Sequence, residues 1–493
     1  MGEVRVRFAP SPTGFLHIGG LRTALYNYLF AKKNKGKFIL RIEDTDRSRF
    51  VEGAIENLID ALEWSGIGHD EGVFVEDGNI IEKGEHGPYI QSNRLDLYRK
   101  YVDTLIENDK AYYCFCSKER LDNLREEQRI KGQVPKYDGF CRGLSKEEVK
   151  RRIEAGEEYV IRLKLPRNQD ITFDDAVRGK VTINTDEMDD QVLVKSDGFP
   201  TYHLAVVVDD HLMGITHVVR GEEWLPSTPK HVYLYQAFGW EAPKFVHLPT
   251  VLNKNRKKLS KREGDVSVED FRSKGYLPEA LINYLALVGW SPEDGEEILS
   301  LDEMVEKFSF DRVGKSGGIF DIEKLNWVNA HYIKEYPLEK IAELTEPAMI
   351  ESGLMTKDEI AKDWNKYKYL VETVLDSLDT VNELPEKVSF LFGDLKVEEA
   401  DAIEQLKGEN TEKLITSLEK ELVQVEEVDE EFAKTVMKRV QKDTGVKGKN
   451  LYMPVRAALT GNVHGPELSN IMIILGKNEL LRRLEQARQE IIK

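Results

Sequence analysis

A chain of 493 residues has room for roughly three domains at about 150 residues each. Its composition, 41% hydrophobic and 32% charged, excludes a disordered chain, and the lack of any apolar run near the ~18 residues a spanning helix needs excludes a helical membrane protein. A formal net charge of −18 excludes non-specific nucleic-acid binding by the surface as a whole, so a nucleic-acid partner must meet a local basic patch.

The opening MGEVRVRFAP alternates charged with apolar side chains and has no signal-peptide core, which predicts a cytoplasmic rather than a secreted protein. Within it Val4, Val6 and Phe8 share one face at period 2, the mark of a strand. From Gly20 the period changes, with Leu21, Leu25, Tyr28 and Leu29 on one helical stripe that ends at KNKG. KFILRIEDTD then reads as a second strand, so the chain opens as a right-handed parallel β-α-β crossover. From about Tyr98 to Gly156 a Lys- and Glu-rich stretch reads as helices around three cysteines, and EEYVIRLKLP and GKVTINT read as strands. Long apolar runs return in SDGFPTYHLAVVVDDHLMG, and THVVRGEEW and KFVHLPTVLN predict further buried strands. Beyond about Asn326 helical windows such as YKYLVETVLDSLDTV and ELLRRLEQARQEII dominate. These segments predict an α/β sheet interrupted by an insertion and followed by a helical last third.

Chemistry concentrates in few places. PSPTGFLHIGG, Pro10 to Gly20, delivers a strand to a helix N-terminus through glycines, which leaves backbone N–H groups for an anion such as a nucleotide phosphate. It matches neither standard phosphate-binding glycine pattern, and a tight turn with a packed histidine is the plain alternative. KKLSKREG, Lys257 to Gly264, sets lysines around a serine on a glycine-bounded loop, where two cations can meet developing phosphate charge. By itself it reads as a basic surface loop. The three cysteines are too few for a disulfide framework. Cys114-x-Cys116 and the later Cys141 fit three zinc thiolates as well as three ordinary reduced thiols. Towards the end, Lys434 to Lys449 carries six cations against one acid, just after seven acids and one lysine in Glu419 to Glu431.

His17-Ile18-Gly19-Gly20 together with Lys258-Leu259-Ser260-Lys261-Arg262 resembles the paired signatures of class I aminoacyl-tRNA synthetases. RFAPSPTG, RIEDTD and TYHLAVVVDDHLMGITHVVRGEEW, in order along the whole chain, resemble the bacterial glutamyl-tRNA synthetases more closely still. That resemblance implies adenylation of L-glutamate by ATP with Mg²⁺, release of pyrophosphate, and transfer of glutamyl to the terminal adenosine of tRNA-Glu, with tRNA-Gln as a second acceptor to test. It implies catalysis by His17, Lys258 and Lys261, and ATP contacts at Thr13, His17, Gly19, Gly20, Glu223, Trp224, Lys258, Ser260 and Lys261. For glutamate it implies Arg7, Ala9, Ser11, Glu43, Tyr202 and Arg220, guanidinium being suited to a dicarboxylate. The Cys-x-Cys, Tyr-x3-Cys pattern of some members implies structural Zn²⁺ on Cys114, Cys116, Tyr137 and Cys141, although Gly143 stands where other members carry histidine. In GVKGKNLYMPVRAALTG it implies tRNA contacts at Lys447, Lys449 and Arg456.

The implied architecture is an α/β, Rossmann-type catalytic domain in two halves, 1–92 and 203–252, split by an acceptor-binding insertion at 93–202. A stem-contact domain at 253–337 carries the KLSKR loop, and all-helical anticodon-binding domains follow at 338–400 and 401–493. The resemblance further implies a monomer with no DNA or membrane partner. Glutaminyl-tRNA synthetase is disfavoured because its first motif has proline, glutamate and asparagine where Ala9, Ser11 and Thr13 stand, and because its tRNA-reading end is built of β-barrels. The long helical end disfavours both the shortened glutamyl-queuosine tRNA synthetases and a simple nucleotidyltransferase. A non-catalytic tRNA-binding paralogue would have lost motif lysines or pocket arginines, and all are present.

Overall fold

The structure, a computed structural model, describes residues 2–259 and 266–492. The opening crossover forms as the periodicity predicts: β1 Arg5–Phe8, helix α1 Ile18–Lys33 and β2 Lys37–Leu40, with β1 and β2 parallel and Phe8 opposite Leu40. The helix starts two residues earlier than the apolar stripe indicates, because His17 caps it by accepting a hydrogen bond from the Gly19 N–H through Nδ1. All four residues of β1 are buried, arginines included, so the strand is covered on both faces as central parallel strands are. Helix α2 Ala54–Trp64 leads to β3 Glu71–Glu76, parallel to β2, and β4 Asn79–Lys83 closes this edge antiparallel to β3.

Next come α3 Leu95–Glu107, β5 Ala111–Cys114, α4 Lys118–Ile130, α5 Lys146–Glu154, β6 Val160–Leu163, β7 Asp170–Asp175, β8 Gly179–Asn184 and β9 Val192–Val194. Strands β5, β6 and β9 make a small separate sheet. The apolar run after Pro200 is a helix, α6 Tyr202–Leu212, since a continuous buried run has no period that separates strand from helix. The two strands expected after it are β10 His217–Gly221 and β11 Lys244–Leu248, joined by α7 Thr228–Phe238. They form a sheet in the order β10-β11-β7-β8. The β7–β8 hairpin, inside the stretch read as insertion, therefore extends the sheet of the second half, with Asp175 opposite Phe245.

Thr216, just before β10, joins this sheet to the first: its N–H donates to the Arg5 carbonyl at 2.9 Å, and its Oγ1 accepts from the Arg5 N–H at 3.0 Å. Chain order runs outward from β1 to β4 on one side and from β10 to β11 on the other, where the earlier β7–β8 hairpin then extends the sheet. A crevice opens at such a switch point beyond the carboxyl ends of the strands, and the candidate site lies there.

The chain divides into two compact units, one reaching Arg272 and resuming over Pro278–Ile322, the other comprising Ser273–Leu277 and the residues from Glu323 on. The 253–337 stretch thus contributes to both units. After the short pair β12 Val251–Leu252 and β13 Gly318–Ile319, every regular element is helical. Within the second unit a continuous apolar core spans Ala402 to Ala487. No helix among the described residues is long and apolar enough to cross a membrane.

Candidate active site and cysteine cluster

A cavity of about 970 Å³ lies over the carboxyl ends of β1 and β10. Arg7, Ala9, Ser11, Thr13, His17, Gly19, Gly20, Glu43, Tyr202, Arg220, Glu223, Trp224 and Lys258 all line it, so the structure gathers these residues, dispersed over 250 positions, around one space. Ser260, Lys261 and Arg262 lie outside the described residues. Because His17 Nδ1 accepts from Gly19, the neutral ring carries its proton on Nε2, as a donor suited to phosphate oxygen. At Gly20, the tetrad's last place, a Cβ would stand 3.0 Å from Leu16 Cδ1 and 3.7 Å from Phe8, so a larger residue would need the Leu16 side chain to shift.

Of the four arginines that line the cavity, the two expected at glutamate, Arg7 and Arg220, differ electrostatically. Arg7, 3% exposed, is already neutralised, donating from Nε and Nη2 to the two oxygens of Asp210 at 2.9 and 3.2 Å. Arg41 donates to the same carboxylate at 2.8 Å and to Glu43 at 3.0 Å. Asp209 next door accepts from Arg94 at 2.7 Å, Gln91 at 2.9 Å and Tyr98 at 2.8 Å. Burial pushes the Asp210 carboxyl up, but Arg7 and Arg41 more than offset this and hold it below the usual aspartate range. Three arginines and three carboxylates, all buried, thus balance beneath the cavity floor.

Arg220, 5% exposed, has no carboxylate among its hydrogen-bond partners in the described residues. It donates to His247 Nε2 at 3.1 Å, Tyr202 Oη at 3.0 Å, Thr228 Oγ1 at 2.9 Å and His231 Nδ1 at 3.2 Å. Burial, reinforced by the Arg220 charge, pushes the pKa of His231 well down and also lowers that of His247, so both rings are neutral acceptors. The Tyr202 ring lies against Trp224 with centroids 4.0 Å apart, walling this side of the cavity. The arrangement leaves the Arg220 charge without a carboxylate partner among the described residues.

A second constellation lies in the insertion. Cys116 Sγ is 3.6 Å from Cys141 Sγ, and Tyr137 Oη is 3.3 Å from Cys114 Sγ and 3.6 Å from Cys116 Sγ. The three sulfurs fall within 4.8 Å of one another. Tetrahedral zinc with Zn–S near 2.3 Å requires ligand separations of about 3.8 Å, so the donor set and its spacing fit the ion. All residues of the flanking helices α4 and α5 are at least partly exposed, and the local core is little more than Tyr112, Cys114, Tyr137 and Cys141. A region with so little apolar burial gains from a staple.

The profile of the family described as tRNA synthetases class I (E and Q), catalytic domain, matches residues 3–327, and that of an anticodon binding domain matches 340–488. A glutamate–tRNA ligase of Finegoldia magna is 62% identical over 99% of both chains, and that of Alkaliphilus metalliredigens is 56% identical over 100% of both. The crystal structure of a glutamate tRNA ligase from Elizabethkingia meningosepticum in complex with its amino acid superposes with a TM-score of 0.89, at 38% identity over 99% of each chain. The chain belongs to the class I glutamyl-tRNA synthetases.

In this synthetase, motif spacing singled out none of Arg41, Arg94, Asp175, Asp209, Asp210, His231 or His247. A signal for the aspartates exists in AVVVDDH, because two acids closing an apolar run are buried only when paired. His247 in KFVHLP is likewise a polar residue inside a buried strand. Farther along, the structure treats the three expected tRNA contacts differently. Lys447 and Lys449 are exposed at the start of the Lys449–Thr460 helix, whereas Arg456 is half-buried and donates to the Pro466 carbonyl at 2.6 Å. Two of the six cations nearby answer the preceding acids, Arg439 pairing with Glu421 at 2.6 Å and Lys434 with Glu430.

Proposed function

We propose that the cavity binds glutamate and ATP together for in-line attack, with Arg220 receiving the glutamate side-chain carboxylate. The uncompensated charge of Arg220 carries this reading. Tyr202 Oη accepts from Arg220, so its own O–H remains to donate to the same carboxylate. Arg7, Ala9, Ser11 and Glu43 form the neighbouring wall, where the Glu43 carboxylate suits the α-ammonium. His17, with Thr13, Gly19 and Gly20, faces the ATP phosphates, and Glu223 and Trp224 the nucleoside.

An oxygen of the α-carboxylate forms a bond to the α-phosphorus while the bond to the β-phosphate oxygen breaks, and pyrophosphate leaves. His17, Lys258, Ser260 and Lys261 stabilise the charge growing on it. Mg²⁺ arrives with ATP and offsets phosphate charge. A hydroxyl of the terminal adenosine of tRNA then attacks the adenylate carbonyl, loses its proton, and AMP departs. Lys447, Lys449 and Arg456 would contact tRNA, in helical anticodon-binding domains divided at residue 400. Cys114, Cys116, Cys141 and Tyr137 would hold structural zinc in the acceptor-binding insertion.

Aminoacylation of tRNA-Glu and tRNA-Gln transcripts with labelled glutamate, with glutamine as the control amino acid, tests the assignment. Charging of tRNA-Glu alone identifies a discriminating enzyme, and charging of both a non-discriminating one. Absence of charging with glutamate rejects the reading. For the metal, purified protein is expected to contain one zinc per chain by atomic emission, and C141S to lose it. The same variant should expose α4 and α5 to proteolysis before the rest of the chain. Full zinc content in C141S would remove Cys141 from the ligand set.

A further inference from the structure

We propose that Asp175 and His247 are positioning residues that hold Arg220 in place without neutralising it, and so set the preference for an anionic over an amide side chain. This rests on the reading of Arg220 as the side-chain carboxylate site. Three adjacent strands carry the groups in a row across the sheet: Arg220 on β10 lies opposite His247 on β11, and β7 beside it ends in Asp175. His247 is 0% exposed and lies behind Arg220, outside the cavity lining.

The direction of each hydrogen bond follows from which partners can only donate or only accept. Asp175 accepts from His247 Nδ1 at 2.6 Å and from the backbone N–H groups of His247, Val177 and Arg178 at 3.1, 3.0 and 2.8 Å. An ionised carboxylate cannot donate, so Nδ1 carries the imidazole proton and Nε2 turns its lone pair to the Arg220 Nε–H. On the other side the guanidinium can only donate, so His231 Nδ1 is a lone pair and its Nε2–H points to His203 Nδ1 at 2.9 Å. Arg220 is thereby held by two imidazole nitrogens and two hydroxyl oxygens, all neutral. Asp175 is one imidazole away from Arg220 and fully engaged.

That placement serves selection. An acid in direct contact with Arg220 would cancel its charge, and glutamate and glutamine would then be bound alike. A neutral cradle fixes the fork and leaves the charge for the ligand. Glutamine offers Arg220 only a neutral oxygen and turns its NH₂ toward donors, a mismatch that buried polar sites reject strongly.

Asp175→Asn presents an amide N–H to Nδ1 and drives His247 to the Nε2–H tautomer, which sets donor against donor at Arg220. D175N is expected to raise KM for glutamate roughly 10- to 100-fold and to change kcat, and KM for ATP, far less. The ratio of kcat/KM for glutamate over glutamine should fall by a similar factor. H247Q keeps an acceptor at the same reach and should lose less than H247F. Since either variant could fold poorly, ¹⁵N-histidine NMR of the parent protein supplies an independent reading. It should report His247 as neutral and protonated at Nδ1 at pH 7 to 8. An imidazolium, the Nε2–H tautomer, or equal losses for glutamate and ATP in D175N would overturn the proposal. If the parent charges glutamate and D175N discriminates as well as it does, only the positioning role falls. If the parent does not charge glutamate, the underlying reading falls.

Discussion

Replacing Arg220 by leucine is expected to reduce kcat/KM for glutamate by about 30- to 5,000-fold, the kinetic equivalent of the roughly 2–5 kcal/mol lost when one partner of a buried, hydrogen-bonded charge pair is truncated. The size follows from the surroundings of Arg220. No carboxylate among the described residues is hydrogen-bonded to it, so the ligand's carboxylate is the pair partner, and the variant leaves that carboxylate desolvated against neutral groups. The cost to folding should be small by comparison. Thr228 Oγ1 is 3.0 Å from His247 Nε2 and can rotate its proton to it, and the Tyr202 hydroxyl can turn as well. KM for ATP should stay near the parent value. Pyrophosphate exchange and aminoacylation, each with glutamate and ATP varied separately, would separate these terms. A rise in KM for ATP with glutamate unaffected would move Arg220 to the nucleotide side.

Asp210→Asn should instead act on stability, lowering it by about 3–5 kcal/mol, the range found when a buried ion pair loses one member. Arg7 and Arg41 both spend N–H groups on this carboxylate, and Arg41 is 0% exposed, so its guanidinium cannot turn to water. The balance of three arginines against three acids becomes an excess of buried positive charge. The pH dependence has a definite sign. Asp210 is held below the usual aspartate value of 3.8, so its stabilising contribution is complete at pH above that value and is lost as pH falls from there through the folded-state value. Thermal unfolding of parent and D210N should therefore differ most at neutral pH and converge in acid. A constant difference at all pH values would mean that the carboxylate's charge is not what the pocket needs. Arg7 also loses its clamp, so KM for glutamate should rise in D210N even where the protein is folded.

Local chemistry made one layer of this protein readable from its residues. The opening β-α-β unit follows from alternation in RVRF and the helical stripe from Leu21, since burying an apolar face is a local requirement of each element. Glycines before a helix, and lysines around a serine on a loop, carry phosphate chemistry wherever they occur, and their joint presence with RFAPSPTG and RIEDTD pointed to the family before any fold was known. Other features were out of reach. The AVVVDDH run shows no period because it is buried on all sides, and so did not reveal itself as a helix. The hairpin of β7 and β8 lies within the stretch read as insertion, yet it pairs with β11, and strand partners distant in sequence leave no local trace.

Residue identity and order alone therefore determined the family, the α/β class and the helical end, and singled out some of the residues that line the cavity. They could not say which arginine is already paired. Arg7 and Arg220 are the same side chain at the ends of two parallel strands, and only packing brings Asp210 of α6 to the first and His247 of β11 to the second. A buried guanidinium's availability to a ligand depends on the charge of what touches it within a few ångströms, and in this protein those contacts join residues 203 and 27 positions apart.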